Sequence, residues 1–341
     1  MPSVTSNPPI TCMSNSPSAI SNTPLLAQPP GLDHPVQITD QFWPEGTVPI
    51  VSICCITYNH EKFIREAIEG FLMQETTFPV EIIIHDDAST DGTRDIIREY
   101  ETKHPQLFRL ILQKENQHSK GKKITPSVLA VAHGEFIAMC EGDDFWFDPN
   151  KLQKQVEFLE ENQSYSLCGH NSSIMSGGQV EKGVLPARSL TTLEMLGANP
   201  FRTATVMLRN VFSINQGAFA RFIFCDWPIV LMASKYGDAF FMSDCMSCYR
   251  VHDGGMWFRM PAVKAAEGTV KMYYFLSKFF EGKHANEINR LILLQINQNV
   301  SDKMFRHEVP FSIPFYIFKS FVKQPIICCK ILLKRLISIF K

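Results

Sequence analysis

The sequence lacks an excess of charge of either sign, with 33 Lys and Arg residues against 34 Asp and Glu residues among 341. Proteins that bind nucleic acid through its phosphates usually carry a strongly basic surface, so we expect no nucleic-acid partner. A basic start followed by an apolar run, the pattern of a secretory leader, is also missing, because the first Lys or Arg is Lys62. The sequence therefore predicts a cytoplasmic protein.

The sequence also lacks the high cysteine density of a small disulfide-rich scaffold. Ten cysteines are present, mostly inside apolar runs such as SICCIT (52–57) and IICCKI (326–331). This usage is typical of buried thiols in a reducing compartment. Cys245 and Cys248 form a lone CxxC without a second pair or spaced histidines, so we do not expect a zinc site.

Both ends of the chain lack the alternating pattern of the middle. Residues 1–48 are rich in Pro, Ser, Thr and Asn without periodicity, which predicts a disordered N-terminal tail. Residues 259–341 have a helical pattern and form a predicted C-terminal helical region. Its last part, 310–341, contains Lys and Arg but no Asp or Glu. This part predicts either a basic amphipathic segment at the inner face of the cell membrane or a helix docked on the domain.

Residues 49–258 alternate between short β-rich runs and amphipathic helices. The predicted strands are IVSICCITY (50–58), VEIIIHDD (80–87), FRLILQ (108–113) and EFIAMC (135–140). Helices are predicted between these strands and again over 148–161. This alternation indicates an α/β fold with a mainly parallel central sheet flanked by helices. Ligands of such sheets bind beyond the carboxyl ends of the strands.

Polar clusters follow three of these strands. TYNH (57–60) follows the first, HDDASTDGT (85–93) the second and EGDD (141–144) the fourth. Carboxylates as close together as Glu141, Asp143 and Asp144 repel one another and are costly to bury. Their crowding indicates a bound cation or a reaction, and a solvated acidic turn is the alternative.

With these three motifs in this order, the sequence resembles the family 2 glycosyltransferases, which have the Rossmann-like GT-A fold. The family shares a TYN strand end, a DDxSxDGT turn and an acidic DxDD cluster at comparable spacings. The resemblance implies a nucleotide-sugar donor, with a UDP-sugar as the first candidate. It implies donor contacts at the residues of all three clusters: Thr57, Asn59, Asp86, Asp87, Glu141, Asp143 and Asp144. Alternatively, Asp87 or Asp91 only closes its turn.

The resemblance also gives the acidic cluster a task. A Mg²⁺ or Mn²⁺ ion bridging diphosphate and carboxylate would neutralise the leaving group. Asp143 is the first candidate ligand, with Asp144 beside it, and the family pattern adds His252 from YRVHDGGMW (249–257). Arg250 in the same stretch is expected to meet a phosphate or to hold the structure. Asp148 is predicted to be the N-cap of the helix that follows.

Transfer to a hydroxyl group needs a base. Asp226 stands after an apolar run and before Trp227, and it resembles the family's ED or DWP base motif although Cys225 precedes it. A carboxylate beside Trp in a cleft should have a raised pKa and could accept the proton of the acceptor. That arrangement predicts a single displacement with inversion at the anomeric carbon. Alternatively, Asp226 only caps the helix that begins there.

The sequence thus predicts a metal-dependent inverting glycosyltransferase that acts on a saccharide or lipid-linked acceptor in surface glycan synthesis. The first alternative is a catalytically inactive nucleotide-sugar or glycan-binding protein on the same fold. A nucleotidyltransferase is less favoured, because ITYNHEKF (56–63) has no glycine-rich phosphate loop. The helix TPSVLAVAHG (125–134) lacks the Arg-Asn pair of many family members, and Lys120 or Lys122 could meet the phosphates instead.

Overall fold

The computed structural model describes residues 31–211, 222, 224–255 and 261–299. The strands are β1 (Val36–Gln37), β2 (Val51–Thr57), β3 (Glu75–Thr76), β4 (Val80–Asp86), β5 (Phe108–Leu112), β6 (Phe136–Glu141), β7 (Phe145–Trp146), β8 (Tyr165–Ser176), β9 (Gln179–Glu181), β10 (Arg188–Leu190), β11 (Met207–Arg209) and β12 (Asp238–Val251). The helices are α1 (Ile64–Leu72), α2 (Thr93–Lys103), α3 (Thr125–Leu129), α4 (Lys151–Glu161), α5 (Thr192–Gly197), α6 (Asp226–Ala233), α7 (Ala262–Phe279) and α8 (Ala285–Asn299), with a 3₁₀ turn over Thr203–Thr205.

The central sheet is mixed, with a parallel half and an irregular half. Its strand order is β10-β12-β8-β11-β6-β2-β4-β5, with β7 paired to β12 and β9 to β8. The four predicted strands are β2, β4, β5 and β6, and they pair in parallel with one another. β11 joins this half to the other by antiparallel pairing with both β6 and β8. The predicted α/β fold with a mainly parallel core is confirmed.

The register of the parallel strands brings the predicted motifs to one edge. Thr57 at the end of β2 lies opposite Asp86 at the end of β4. Ile56 on β2 lies opposite Glu141 at the end of β6. The three polar clusters therefore follow neighbouring strand ends, where α/β sheets bind ligands.

Helices cover both faces of the sheet. Along β2, the side chains of Ile53 and Cys55 belong to one apolar core and that of Cys54 to the other, because successive side chains of a strand point to opposite faces. The first core contains residues of α1, α2 and α4, and the second contains residues of α3, α6, α7 and α8. The helical pattern predicted beyond residue 260 is thus present over residues 262–299, where it completes the second face.

The N-terminal tail predicted over residues 1–48 differs from the structure in its second part. Residues 31–48 lie against the domain: β1 pairs with β3, and Ile38 is 1% exposed. Gln41 is buried and donates to the carbonyl of Thr76 at 2.7 Å. Single buried residues such as Ile38 and Gln41 produce no periodic pattern, so nothing in the sequence indicated that this segment packs against the domain. Residues 1–30 and the basic segment 310–341 lie outside the described residues.

Three further features bear on the sequence predictions. No helix within the described ranges is long and apolar enough to span a membrane. The described cysteines are free, including Cys245 and Cys248 of the CxxC. Asp148 is not the N-cap of α4, which is Asn150. Instead Asp148 Oδ1 accepts from the backbone N–H of Asn150 at 2.9 Å, and Oδ2 pairs with Lys154.

Candidate functional site

A cavity of about 490 Å³ lies at the carboxyl edge of β2 and β6. Three carboxylates line it: Glu141 and Asp143, which follow β6, and Asp226, which begins α6. Its other walls include residues of α3 and of the segment 197–203. The structure therefore brings the predicted base together with two of the three predicted acids of the EGDD cluster.

The acidic loop, residues 141–144, is fixed by close packing on both sides. A Cβ atom at Gly142 would lie 2.8 Å from Thr57 Oγ1, so only glycine lets the loop approach the end of β2 this closely. After the loop, Trp146 is buried, stacks edge-on with Phe71 and donates from Nε1 to the carbonyl of Ala204. β7 also pairs with β12. The carboxylates are thus held on rigid backbone.

Asp144 is a buried member of this loop and takes no part in lining the cavity. It is 1% exposed, and its Oδ1 accepts from the backbone N–H of Arg250 at 2.9 Å. Burial, followed by the nearby Asp143 charge, raises the pKa of Asp144 to about 8. Asp144 thus links the acidic loop to β12 through Oδ1. Its buried Oδ2 has no described partner, so its role as a metal ligand beside Asp143 stays a prediction.

Asp143 is more exposed than Asp144 and lies between the imidazoles of His252 and His60. Its Oδ2 is 3.1 Å from His252 Nε2 and 3.6 Å from His60 Nε2. Its Oδ1 is buried without a hydrogen-bond partner among the described residues. Glu141 lies nearby, and burial together with the charges of Asp143 and Asp144 raises its pKa. The site thus crowds carboxyl groups whose full ionisation is unfavourable without a bound cation.

These residues fit a divalent cation that takes most of its ligands from outside the protein. No group of three or more His, Cys, Asp or Glu side chains within the described ranges forms a complete metal site. Mg²⁺ in particular is usually held by one or two carboxylates plus substrate phosphates and water. The partnerless buried oxygen of Asp143 and the adjacent His252 suit that kind of site.

Asp226 also lines the cavity, at the first position of α6, and Cys225 is the N-cap of this helix. Its Oδ2 accepts from Asn199 Nδ2 at 3.2 Å. Burial raises the pKa of Asp226, and hydrogen bonds from the backbone and from Asn199 offset part of that effect. Its side chain is therefore oriented and has the raised pKa that was expected of a base.

The predicted nucleotide residues are close to one another but are largely engaged with the protein. Asp86 is fully buried; its Oδ2 accepts from Ser89 N–H at 3.0 Å and from Arg94 Nε at 2.5 Å, while Oδ1 has no described partner. Asp87 is 3% exposed and accepts through both oxygens, from Gln117 N–H at 2.7 Å and His118 N–H at 2.9 Å. Asp87 thus anchors the loop that follows β5.

Side-chain to backbone hydrogen bonds also connect the TYN and DGT motifs. Asn59 has φ of 55°, and its Oδ1 accepts from the backbone N–H of Thr90 at 2.8 Å. Asp91 accepts from Thr93 through Oδ1 and from the backbone N–H of Glu61 through Oδ2. Thr57 Oγ1 is buried without a described partner. The turn-closing alternative therefore describes Asp91.

Arg250 has the structural role that was one of its two predicted possibilities. Its guanidinium is 8% exposed, donates to the carbonyl of Asp143 at 2.8 Å and pairs with Glu66. Lys120, a predicted phosphate contact, forms an ion pair with Glu115.

Two residues of the site received no role from sequence reasoning. His60 was visible as the last residue of TYNH, but its proximity to Asp143 depends on the long-range pairing of strand ends. Arg202 lies on the cavity wall, and its guanidinium carbon is 4.5 Å from the centre of the Tyr249 ring. The sequence signal for Arg202 was only its place at the start of RTATVMLRN (202–210), a β-rich stretch that suggests no chemical role.

The structure is a mixed sheet flanked by helices, with an acidic cavity at the carboxyl edge of its strands and histidines beside Asp143. This is the arrangement of a Rossmann-like GT-A fold. Residues 52–217 match the family model described as Glycosyl transferase family 2. This segment is therefore of the family 2 glycosyltransferase type, as the three motifs predicted.

The comparisons with curated proteins agree with this family. The chain is 38% identical over 213 residues to an uncharacterized protein of Mycobacterium tuberculosis, covering 61% of this chain and 60% of that protein. It is 36% identical over 168 residues to the putative glycosyltransferase EpsE of Bacillus subtilis, covering 47% and 56% of the two chains. The putative teichuronic acid biosynthesis glycosyltransferase TuaG of the same organism is 30% identical over 161 residues, with 47% and 62% covered. The chain thus spans about 60% of the length of these relatives.

The structure also resembles the crystal structure of S. aureus TarS in complex with UDP-GlcNAc. The TM-score is 0.56, the identity is 18%, and 78% of each chain is covered. At this identity the likeness shows a shared fold.

Proposed function

We propose that the protein is an inverting glycosyltransferase that moves a sugar from a nucleotide-sugar to a saccharide or lipid-linked acceptor in surface glycan synthesis. The observation that carries this proposal is the cavity that Asp226 and Asp143 line together. A base and a charge-binding carboxylate in one cavity are what transfer from a diphosphate donor requires. The family and the names of the relatives EpsE and TuaG support it.

The donor side of the reaction would lie at the acidic loop. Asp143, with His252 beside it, would hold a Mg²⁺ or Mn²⁺ ion. A divalent cation there supplies positive charge against the negative charge that develops on the leaving diphosphate. Asp144 would act through its bond to Arg250, which keeps the acidic loop against β12. A UDP-sugar is the first donor to test, and S. aureus TarS, which shares the fold, was crystallised with UDP-GlcNAc.

The acceptor side would lie at Asp226. The acceptor hydroxyl attacks the anomeric carbon, the bond from that carbon to the diphosphate oxygen breaks, and Asp226 takes the hydroxyl proton. Asn199 holds the carboxylate by its bond to Oδ2. One displacement from the face opposite the diphosphate inverts the anomeric configuration. The domain would cover residues 49–258, together with residues 31–48 that pack against it.

We further propose a cytoplasmic protein in which the basic segment 310–341 contacts the inner face of the cell membrane. Such a segment is attracted to anionic lipid headgroups, and it would bring the cavity to a lipid-linked acceptor.

The test is isothermal titration of the full chain with a panel of nucleoside diphosphates, with and without Mn²⁺. The wild type should bind one diphosphate in a metal-dependent manner. Asp143→Ala should weaken this binding by at least about tenfold, since a charged contact contributes about 1.5–3 kcal/mol.

The matched control is Asp95→Ala, an exposed aspartate on α2 outside the cavity. It should bind as the wild type does. If no diphosphate binds under any condition, or if Asp143→Ala binds as well as the control, the proposed function is wrong.

A further inference from the structure

Arg202 differs from the other arginine at the cavity because it pairs with no anionic side chain among the described residues. Arg250 is held by Glu66 and by the carbonyl of Asp143. Arg202 is exposed, and within the described ranges its guanidinium forms neither an ion pair nor a hydrogen bond. It lies instead over the ring of Tyr249, with 4.5 Å from Cζ to the ring centre. Stacking leaves the in-plane N–H donors of a guanidinium free for a ligand.

The position of Arg202 is fixed relative to the candidate base. Asn199 donates through Nδ2 to Asp226 and accepts through Oδ1 from the backbone N–H of Phe201 at 3.2 Å. The carbonyl of Arg202 itself accepts from the backbone and hydroxyl groups of Thr205, at 2.9 and 2.8 Å. Phe201 is 4% exposed. The backbone of Arg202 is therefore held between the base and a buried turn.

The charge around this position makes an unpaired arginine informative. The same cavity is lined by Glu141, Asp143 and Asp226, which together would repel an anionic sugar. Where these carboxyl groups are ionised, Arg202, which lines the same cavity, would offset that repulsion. A planar guanidinium binds a carboxylate through two parallel hydrogen bonds.

We propose that Arg202, stacked on Tyr249, forms a subsite for a carboxylate carried by one of the two sugars that meet at Asp226. The ligand class is a uronic acid, either as the transferred sugar or as the accepting residue. This inference rests on the proposed glycosyltransferase function and names a substrate class for it. The diphosphate is assigned to the Asp143 side of the cavity and is not a ligand of Arg202.

The experiment compares acidic and neutral sugars on wild type, Arg202→Gln and Arg202→Lys. For the donor, calorimetry uses the uronic-acid and hexose forms of the nucleotide that the diphosphate panel selects, UDP-glucuronic acid and UDP-glucose if that is UDP. For the acceptor, NMR titration uses methyl glucuronide and methyl glucoside. Wild type should prefer the acidic form by about tenfold in one arm, because a charged hydrogen bond contributes about 1.5–3 kcal/mol. The arm that shows the preference identifies which sugar carries the carboxylate.

The variants separate this subsite from other roles of Arg202. Arg202→Gln should lose the preference, and Arg202→Lys should keep only part of it, since lysine cannot make the two parallel bonds. Affinity for the bare nucleoside diphosphate should stay within about twofold in both. Arg98→Gln, an exposed arginine on α2, is the control.

Two results would overturn the subsite. One is a wild type without preference for either acidic sugar. The other is an Arg202→Gln variant that loses affinity for the bare diphosphate, which would make Arg202 a diphosphate ligand. Both leave the proposed function intact as long as diphosphate binding depends on Asp143; loss of that dependence is a failure of the function itself.

Discussion

Two pairs of adjacent aspartates stand at the ends of β4 and β6, the strands on either side of β2, and they are used differently. In the aspartate turn, residues 86–93, Asp87 accepts through both carboxylate oxygens from the loop after β5. In the acidic loop, Asp143 and Asp144 each keep one buried oxygen without a described partner. Burial raises the pKa of Asp144 to about 8.

The comparison shows that residue type and position at a strand end do not by themselves identify a ligand site. Buried polar atoms are nearly always hydrogen-bonded in folded proteins, so a buried carboxylate oxygen without a partner needs an explanation. The burial of Asp87 is explained by its hydrogen bonds to the backbone of Gln117 and His118. Asp143, whose buried Oδ1 has no described partner, is better explained by a ligand. Asp86, with one oxygen bonded to Ser89 and Arg94 and the other without a described partner, lies between these two cases.

The largest expected effect is on the catalytic side, at Asp226→Asn. Removal of a general base costs about 10²–10⁴-fold in rate. The amide retains the shape of the carboxylate, so affinity for the nucleoside diphosphate should stay within about twofold. The measurement is release of nucleoside diphosphate from the donor that the panel selects, in the presence of acceptor extract.

Asp95→Asn on α2 is the matched control and should keep full activity. If Asp226→Asn turns over as fast as the control, Asp226 is not the base. If neither the wild type nor the variant turns over while both bind donor, the inactive binding protein becomes the better account.

The second expected effect is a pH dependence of the free energy of unfolding, caused by Asp144. The pKa of Asp144 is about 8 in the folded protein, against an ordinary value near 4 in the unfolded chain. The folded protein therefore holds a proton that the unfolded chain releases between about pH 4 and 8. The contribution of Asp144 to stability is present below pH 4 and is lost as pH rises towards 8. Asp144→Asn, which keeps the acceptor for Arg250 N–H, should abolish this loss.

Urea unfolding at pH 5 and pH 8 measures this difference. Relative to wild type, Asp144→Asn should gain free energy of unfolding on the order of a few kcal/mol between the two pH values. Asp238→Asn at the exposed start of β12 is the control, and it should shift both values by less than about 0.5 kcal/mol. An equal difference from wild type at both pH values would show that Asp144 is ionised in the folded protein.

Sequence patterns predicted the fold and the strand ends that carry the candidate site, because both depend on local signals. The strands β2, β4, β5 and β6 are continuous apolar runs, and register then fixes which polar ends meet. What could not be predicted depends on contacts distant in the chain. Asp144 and Arg250 are 106 residues apart, and His60 approaches Asp143 only after β2 and β6 pair. The packing of residues 31–48 likewise depends on β3 and has no periodic signal of its own.

The smallest expected effect tests the other half of the comparison, at Asp87. Asp87→Ala removes two charged hydrogen bonds to backbone N–H groups and leaves Gln117 and His118 N–H without their acceptors. We expect a loss of about 2–4 kcal/mol in the free energy of unfolding, measured in urea. Asp91→Ala, whose bonds lie at a more exposed turn, should lose less. His118 lines the cavity, and the loop that carries it is held by Asp87. Affinity for diphosphate should therefore fall only to the extent that this loop shifts in the variant. Unchanged stability together with abolished diphosphate binding would contradict this and make Asp87 a direct nucleotide contact, so that both aspartate pairs would serve the ligand.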